Sequence, residues 1–253
     1  MLKYGKTAAR PDAVKLKFSE VFNEAVLPVP PMSFGHEQLM PGGAWYMLGN
    51  NQWGDCVWAG AAHEHMLWSM EGGLVRDQFT TKDVLSDYSA VTGFDPNNPD
   101  SDQGTDIQVA AAYRQNTGII DTNNVRHKID AYAALRVGDV NQLAVAAYIF
   151  GAVGVGVKCP TAMQGQFSNN QPWSVVAGDT IEGGHYVPVI GRNSVGNFLC
   201  VTWGRLQAIE PSWLQLYNDE SIVYLDLEFI NNNTKLTPES YNLDTLTQYL
   251  KEV

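Results

Sequence analysis

The sequence has little cysteine and a shortage of positive charge, and both shortages narrow the classes of protein it can represent. Its three cysteines, Cys56, Cys159 and Cys200, show no clustered spacing, which is typical of a reducing compartment rather than of a disulfide scaffold. With 16 Lys and Arg against 27 Asp and Glu, the chain lacks the surplus of cations that binding to a phosphate backbone requires. We therefore expect no nucleic-acid partner.

Long apolar runs and nucleotide-binding motifs are also missing. No stretch reaches the ~18 consecutive apolar residues of a membrane span, and residues 1–18 hold no apolar segment of the signal-peptide kind. These absences predict no membrane partner and a cytoplasmic or virion-associated location. No G-x-G-x-x-G, P-loop or G-x-S-x-G motif stands in a strand–turn–helix setting, so we expect no cofactor.

What the sequence does contain is a series of helices followed by a series of strands. Ser, Thr or Asp before each helix and Gly after it predict four helices, near residues 56–71, 82–92, 107–117 and 140–150. Apolar segments at 151–158, 185–191, 197–203 and 221–229 have the length and texture of strands. A short helix is expected at 213–217 and another at 238–252. This order is typical of an α+β protein with two segregated lobes.

The first candidate for chemistry is Cys56, which follows Gly54 and Asp55 at the start of the first long helix. The unpaired N–H groups and the dipole of a helix N-terminus stabilise a thiolate. Gly54 allows a substrate to approach the backbone closely. The alternative is that Cys56 is a small core residue, which free cysteines often are.

A second candidate lies about 130 residues downstream, where His185 follows two glycines and opens an apolar strand. The next strand ends in Trp203-Gly204. Together, GNNQWGDCVWAGAAH, GGHYVPVIG and VTWG resemble segments of the papain-like cysteine peptidases, in which a Cys opens the central helix and a distant His begins a strand. The resemblance covers roughly residues 45–229.

The resemblance implies an α+β, two-lobed fold, in which a helical lobe with a central Cys-bearing helix packs on an antiparallel, barrel-like β lobe. Residues 1–44 are then an extended N-terminal strap, with one short strand near 16–18, and residues 45–253 form the papain-like domain. Within that domain we expect a mainly helical lobe at 45–138, a mainly β lobe at 139–235 and a C-terminal helix at 236–253.

The roles that the resemblance implies are specific. Cys56 is the nucleophile and His185 the general base and acid. Asn50 matches the carboxamide of the family's oxyanion hole, with Gln52 as the alternative, and the Cys56 N–H is the second donor. Trp203 shields the histidine, with Gly204 beside it.

One position departs from the family pattern, since Val201 stands where an Asn orients the histidine. Thr202, a backbone carbonyl or a carboxylate from elsewhere would have to replace that Asn. The sequence is similar to a divergent bacterial or phage branch. It therefore predicts a thiol hydrolase of peptide or isopeptide bonds, with a peptide or protein substrate. The rival is an inactive papain-like protein with a structural or binding role, such as a component of a phage particle with an assembly partner.

Two patterns in the sequence could indicate metal binding, but each has a simpler explanation. The sequence therefore predicts no metal site. Cys56, His63 and His185 could form a zinc site, but they lack the paired spacing of structural sites. His63 and His65 point to different sides of a helix and cannot chelate one ion together. The acidic loop with Asp95, Asp100, Asp102 and Asp106 partly resembles a calcium loop, yet it has the composition of ordinary turns.

Overall fold

The computed structural model describes residues 2–249, apart from the side chain of Thr247. Its helices are α1 (Phe18–Val21), α2 (Cys56–Glu71), α3 (Thr81–Thr92), α4 (Ile107–Asn116), α5 (Val140–Phe150), α6 (Ala162–Ser168), α7 (Pro211–Tyr217) and α8 (Leu243–Gln248). Its strands are β1 (Phe34–Gly35), β2 (Ile119–Ile120), β3 (Arg126–His127), β4 (Ala131–Ala134), β5 (Val153–Pro160), β6 (Ile181–Arg192), β7 (Phe198–Thr202), β8 (Arg205–Ile209) and β9 (Asn218–Leu225). No helix in the described part of the chain is long and apolar enough to cross a membrane.

The strands form one antiparallel sheet and a small separate hairpin. The sheet has the order β4-β9-β5-β6-β7-β8, with β1 added beside β6, and β2 pairs with β3 in the hairpin. The register of β5 against β6 sets Val157 opposite His185. β6 therefore lies inside the sheet, where its side chains are held by neighbours on both sides.

Local capping explains where three of the four long helices begin, whereas Asp55 before α2 makes no side-chain capping hydrogen bond. Thr80 forms a capping box with Asp83, and the side chains of Asp106 and Asp139 accept hydrogen bonds from the first turns of α4 and α5. Gly93 ends α3 with a φ of 76°, a conformation that glycine adopts without strain. These helix predictions are confirmed, as is the short helix α7.

Helix α2 is buried on all sides, because it lies between strand β6 on one side and helices α3 and α4 on the other. A buried ion pair connects it to both sides. The carboxylate of Glu64 lies 2.6 Å from the Arg114 guanidinium of α4 and accepts a 2.6 Å hydrogen bond from the hydroxyl of Tyr186. The pair therefore joins α2, α4 and β6 directly behind the strand that carries His185.

The structure differs from the sequence prediction in three local respects. The strand expected near residues 16–18 is a single bridge from Lys17 to Ala134, because the chain turns into α1 at Phe18 to stack Phe18 on Phe22. The sequence prediction missed α6, β4 and β8, which are short and lack strong apolar periodicity. The C-terminal helix is limited to Leu243–Gln248, and the part expected beyond residue 249 lies outside the described residues. The proposed domain boundaries stay a prediction.

Candidate active site

Cys56 is the first residue of α2, and its side chain is almost completely buried, with 2% of its surface exposed. Burial raises the pKa of its thiol to about 12, against hydrogen bonds from the backbone of Tyr186 and Gly5 that lower it. The contact with Tyr186, the residue after His185, places the sulfur beside the strand that carries the imidazole. In this state the thiol is neutral.

His185 is held in one orientation by two neighbours. Its Nε2 lies 2.7 Å from the hydroxyl oxygen of Thr202, and its ring stacks on Trp203 with centroids 4.6 Å apart and planes at 19°. Its buried Nδ1 has no hydrogen-bond partner in the described part of the chain. Burial lowers the pKa of the imidazole to about 3, so the ring is neutral as well.

Thr202 thus occupies the orienting position that Val201 leaves vacant. A threonine hydroxyl can accept from Nε2–H or donate to a bare Nε2; when it accepts, the Nδ1 lone pair is free to take a proton. Of the three substitutes that the sequence left open, Thr202 is the one for which the structure shows a contact with a ring nitrogen of His185. Trp203 adopts a φ of 44° and Gly204 a φ of 76°, and this turn brings the indole over the imidazole.

Residues 2–7, which we call the cleft strap, run directly between the two candidate residues and solvent. Its backbone is tied to both lobes: the N–H groups of Gly5 and Lys6 donate to the carbonyl of Gly184 at 3.2 and 3.0 Å. On the helical side, Thr105 N–H donates to the Gly5 carbonyl at 2.7 Å, and Thr7 N–H donates to the Thr105 carbonyl at 3.0 Å. The strap therefore bridges the cleft as an extra extended chain.

Side chains anchor the cleft strap at each end. The ring of Tyr4 lies edge-on to His185 at 5.9 Å, and the carbonyl of Lys3 accepts a hydrogen bond from the Trp203 indole. The fully buried amine of Lys6 lies 3.0 Å from carboxylate oxygens of both Asp219 and Glu220. The strap thus contacts both candidate residues, the imidazole through Tyr4 and the thiol through the backbone of Gly5.

The centre of the cleft strap passes through a slot made of glycines. A Cβ on Gly5 would lie 1.9 Å from the carbonyl oxygen of Gly54, and a Cβ on Gly104 would lie 2.3 Å from the carbonyl oxygen of Gly5. A Cβ on Gly184 would lie 2.6 Å from the Lys6 carbonyl. Gly5→Ala is therefore the smallest change expected to displace the strap.

The two candidates for the oxyanion hole lie in different surroundings. Asn50 is 3% exposed, and its Nδ2 donates to the Trp53 carbonyl at 3.3 Å inside the loop before Cys56. The side chain of Gln52 is exposed. No contact of either side chain distinguishes an oxyanion donor, so both assignments stay predictions.

The residues considered from the sequence as possible metal ligands form ordinary hydrogen bonds within the protein. His63 Nε2 lies 2.8 and 3.1 Å from the carbonyls of Trp45 and Tyr46, and its buried Nδ1 has no hydrogen-bond partner among the described residues. In the acidic loop, Asp102 accepts from the Gly54 N–H at 3.0 Å and from the Tyr88 hydroxyl at 2.7 Å. The loop thus supports the turn before Cys56.

Comparison with known proteins supplies the class of fold. No protein-family model and no curated protein sequence matches the chain. Among solved structures, the chain is similar to xylellain, a cysteine protease from Xylella fastidiosa, with a TM-score of 0.68, 14% identity and coverage of 89% of this chain and 96% of that one. It is also similar to procathepsin B from Trypanosoma congolense, with a TM-score of 0.59, 14% identity and coverage of 88% and 86%.

A third similar structure is the bromelain protease from Ananas comosus, with a TM-score of 0.53, 14% identity and coverage of 77% of this chain and 99% of that one. The chain therefore has the fold of the papain-like cysteine proteases. The predicted α+β fold with a central Cys-bearing helix is confirmed.

Proposed function

We propose that this protein is a papain-like thiol hydrolase of peptide or isopeptide bonds, and that the cleft strap holds it in a latent state. The observation that carries the proposal is the orientation of His185, clamped by Thr202 and Trp203 with Nδ1 unpartnered, on the strand next to the Cys56 sulfur. A general base requires one free ring nitrogen, a condition that the buried His63 and His65 also meet. What distinguishes His185 is its position next to Tyr186, whose backbone contacts the Cys56 sulfur.

The proposed reaction begins once the cleft strap has left the cleft. His185 Nδ1 takes the thiol proton, and the Cys56 sulfur attacks the carbonyl carbon of the scissile amide. The C–N bond then breaks, the imidazolium gives its proton to the leaving amine, and the acyl group remains on the sulfur as a thioester. Attack by water, with its proton passing to His185, releases the carboxylic acid and restores the thiol. An amine acceptor in place of water would give transfer.

Supporting roles follow from the same arrangement. The Cys56 N–H at the start of α2 and the carboxamide of Asn50, or alternatively that of Gln52, are the proposed donors to the oxyanion. Trp203 shields the imidazole from water, and Gly204 completes the turn that positions it. The bacterial or phage origin and the cytoplasmic or virion-associated location remain predictions.

Cleavage of a denatured protein tests the proposed function. We expect the Gly5→Ala chain to produce new N-termini, identified by mass spectrometry, and the Gly5→Ala, Cys56→Ala chain to produce none, because loss of a catalytic nucleophile costs about 10⁶ in rate. The matched control is Cys200→Ala, which removes a buried thiol from β7 and should leave the products unchanged. Cleavage that persists without Cys56 would contradict the proposal.

The rival, a structural or binding protein, is favoured by one specific observation, which is the nearly complete burial of Cys56 and His185. It predicts that Cys56 stays unreactive in every folded variant. A thiol that becomes reactive on opening, with no cleavage of any peptide tested, would support a binding role instead of hydrolysis.

Thr202 offers a test of how His185 is oriented. In the Gly5→Ala chain, Thr202→Val is expected to lower the turnover and the alkylation rate of Cys56 roughly ten- to a hundredfold, because a buried N–H loses its acceptor. Thr202→Ser keeps the hydroxyl and should restore most of both rates. If Val and Ser behave alike, the hydroxyl has no orienting role.

A further inference from the structure

A second cluster of ionisable side chains lies at the other end of α2 and takes no part in the proposed reaction. It consists of His65 in α2, Asp77 in the loop after α2, His127 in β3 and Glu228 in the 3-10 turn after β9. Each offers one ligand atom, and these atoms all lie within 4.8 Å of one another. His65 lies nine positions along α2 from Cys56, which corresponds to about 13 Å along the axis.

The spacing within this cluster is close to that of a tetrahedral metal site. Glu228 oxygens lie 3.0 Å from His127 Nδ1 and 3.4 Å from His65 Nδ1, and Asp77 Oδ2 lies 3.3 Å from His127 Nδ1. Ligands bound tetrahedrally at ~2.0–2.1 Å from a zinc ion lie about 3.3–3.4 Å from each other. These three separations are close to the tetrahedral value, while the atoms of the whole cluster lie within 4.8 Å of one another, so the remaining side chains must close in to coordinate one ion.

Hydrogen bonding within the protein satisfies this cluster only in part. Glu228 contacts Nδ1 of both His65 and His127, but His65 Nε2, His127 Nε2 and Asp77 Oδ2 have no hydrogen-bond partner among the described residues. His65 Nδ1 lies 3.4 Å from both Asp226 Oδ2 and Glu228 Oε2, but one ring nitrogen carries at most one proton. Asp226 is 2% exposed, and its Oδ2 has no hydrogen-bond partner in the part of the chain that the structure describes. A buried carboxylate oxygen without a donor is costly, and a cation between the imidazoles and the carboxylates would remove that cost.

Charge in the surroundings also favours a cation. The carboxylates that approach the two imidazoles are those of Asp77, Asp121, Asp226 and Glu228. Among the described residues, no Lys or Arg forms an ion pair with any of these four. The site is thus rich in negative charge, and the partly exposed side chains of Glu228 and Asp77 leave a route from solvent.

We propose that His65, Asp77, His127 and Glu228 bind one divalent transition-metal ion, with Zn²⁺ as the ion that suits two imidazoles and two carboxylates in tetrahedral geometry. Mg²⁺ and Ca²⁺ prefer sites made of oxygen ligands alone. Four protein ligands leave no open position, which is the arrangement of a structural site. The ion ties the β2–β3 hairpin and the segment after β9 to the C-terminal half of α2.

Zinc binding to the full chain tests this proposal. All variants carry Cys56→Ala, so that the thiol does not compete for the metal. After chelator treatment and dialysis, we expect one Zn²⁺ per chain by elemental analysis, together with a rise in the midpoint of thermal unfolding that grows with free Zn²⁺. Competition with a chromophoric chelator gives the affinity.

Two ligand variants and one matched control decide the assignment. Glu228→Gln and His127→Gln are each expected to weaken Zn²⁺ binding at least about a hundredfold, because each removes a ligand. His36→Gln removes an imidazole that contacts Glu71 at 2.9 Å outside the cluster, and it should bind Zn²⁺ like the parent. Failure of the parent to bind Zn²⁺, Co²⁺ or Mn²⁺, or equal affinity in all three variants, would overturn the proposal.

Discussion

Gly5→Ala is expected to raise the rate of iodoacetamide alkylation of Cys56 by about 10³-fold near pH 8, because it opens access to the sulfur and removes the burial that keeps the thiol protonated. The cause is steric: the new Cβ would lie 1.9 Å from the Gly54 carbonyl oxygen, so the cleft strap cannot keep its place. In the parent, burial raises the pKa of Cys56 to about 12, and almost no thiolate is present at that pH. Peptide mass spectrometry measures the labelling.

A matched glycine control separates displacement of the strap from a general effect of the substitution. A Cβ added to Gly165 in α6 would meet no atom within 4 Å, so Gly165→Ala should label as slowly as the parent. Tyr4→Ala, which removes the ring beside His185, should raise the rate by a smaller factor. If Gly5→Ala remains folded by circular dichroism yet labels like the parent, the strap does not control access to the thiol.

The second large effect is the pH profile of the opened chain. In Gly5→Ala, labelling should persist down to about pH 5–6, because a solvated imidazolium beside the sulfur stabilises the thiolate. His185→Gln in that chain should raise the thiol pKa towards ~8.5 and lower the rate near pH 6 by about 10²-fold or more. His63→Gln, which replaces another buried imidazole of α2, is the control and should keep the profile of Gly5→Ala.

The direction in which pH shifts the equilibrium between the closed and the open parent follows from the pKa values in the closed state. There the pKa of His185 is lowered to about 3 and that of Cys56 is raised to about 12, chiefly by burial. Closing therefore favours the neutral forms of both groups. The contribution of His185 to the stability of the closed state is complete above the ordinary imidazole pKa of ~6.5. That contribution is lost as the pH falls towards 3. If lowering the pH does not open the parent, as measured by the labelling of Cys56, this linkage is contradicted.

The helices and the resemblance could be predicted because their signals are local. Thr80, Asp106 and Asp139 cap helices through hydrogen bonds to residues two or three positions away. Asp55 predicts the start of α2 at Cys56 in the same way, although its side chain makes no capping hydrogen bond in the structure. The same local cues placed His185 on a strand, where the structure has it.

What the sequence could not supply are contacts between distant segments. Gly5 touches Gly54, Gly104 and Gly184 only after the lobes have closed, and nothing in MLKYGKT marks it as the occupant of a cleft. His65 and His127 belong to segments that the fold alone brings together. The sequence names Thr202 as one of several groups that could orient His185, because Val201 replaces the Asn that does so in the family. Only the tertiary structure places the Thr202 hydroxyl 2.7 Å from the ring.

The cleft strap has a consequence for anything else that enters the cleft, because it acts as an intramolecular competitor. A ligand that needs the open state binds with an apparent affinity reduced by the open fraction, so a chain open one time in a hundred loses about a hundredfold. The coupling is reciprocal, and an occupied cleft would leave residues 2–7 free of their hydrogen bonds to Thr105 and Gly184. Hydrogen exchange at the amides of Gly5, Lys6 and Thr7 would then report occupancy of the cleft for any ligand, whether or not it is cleaved.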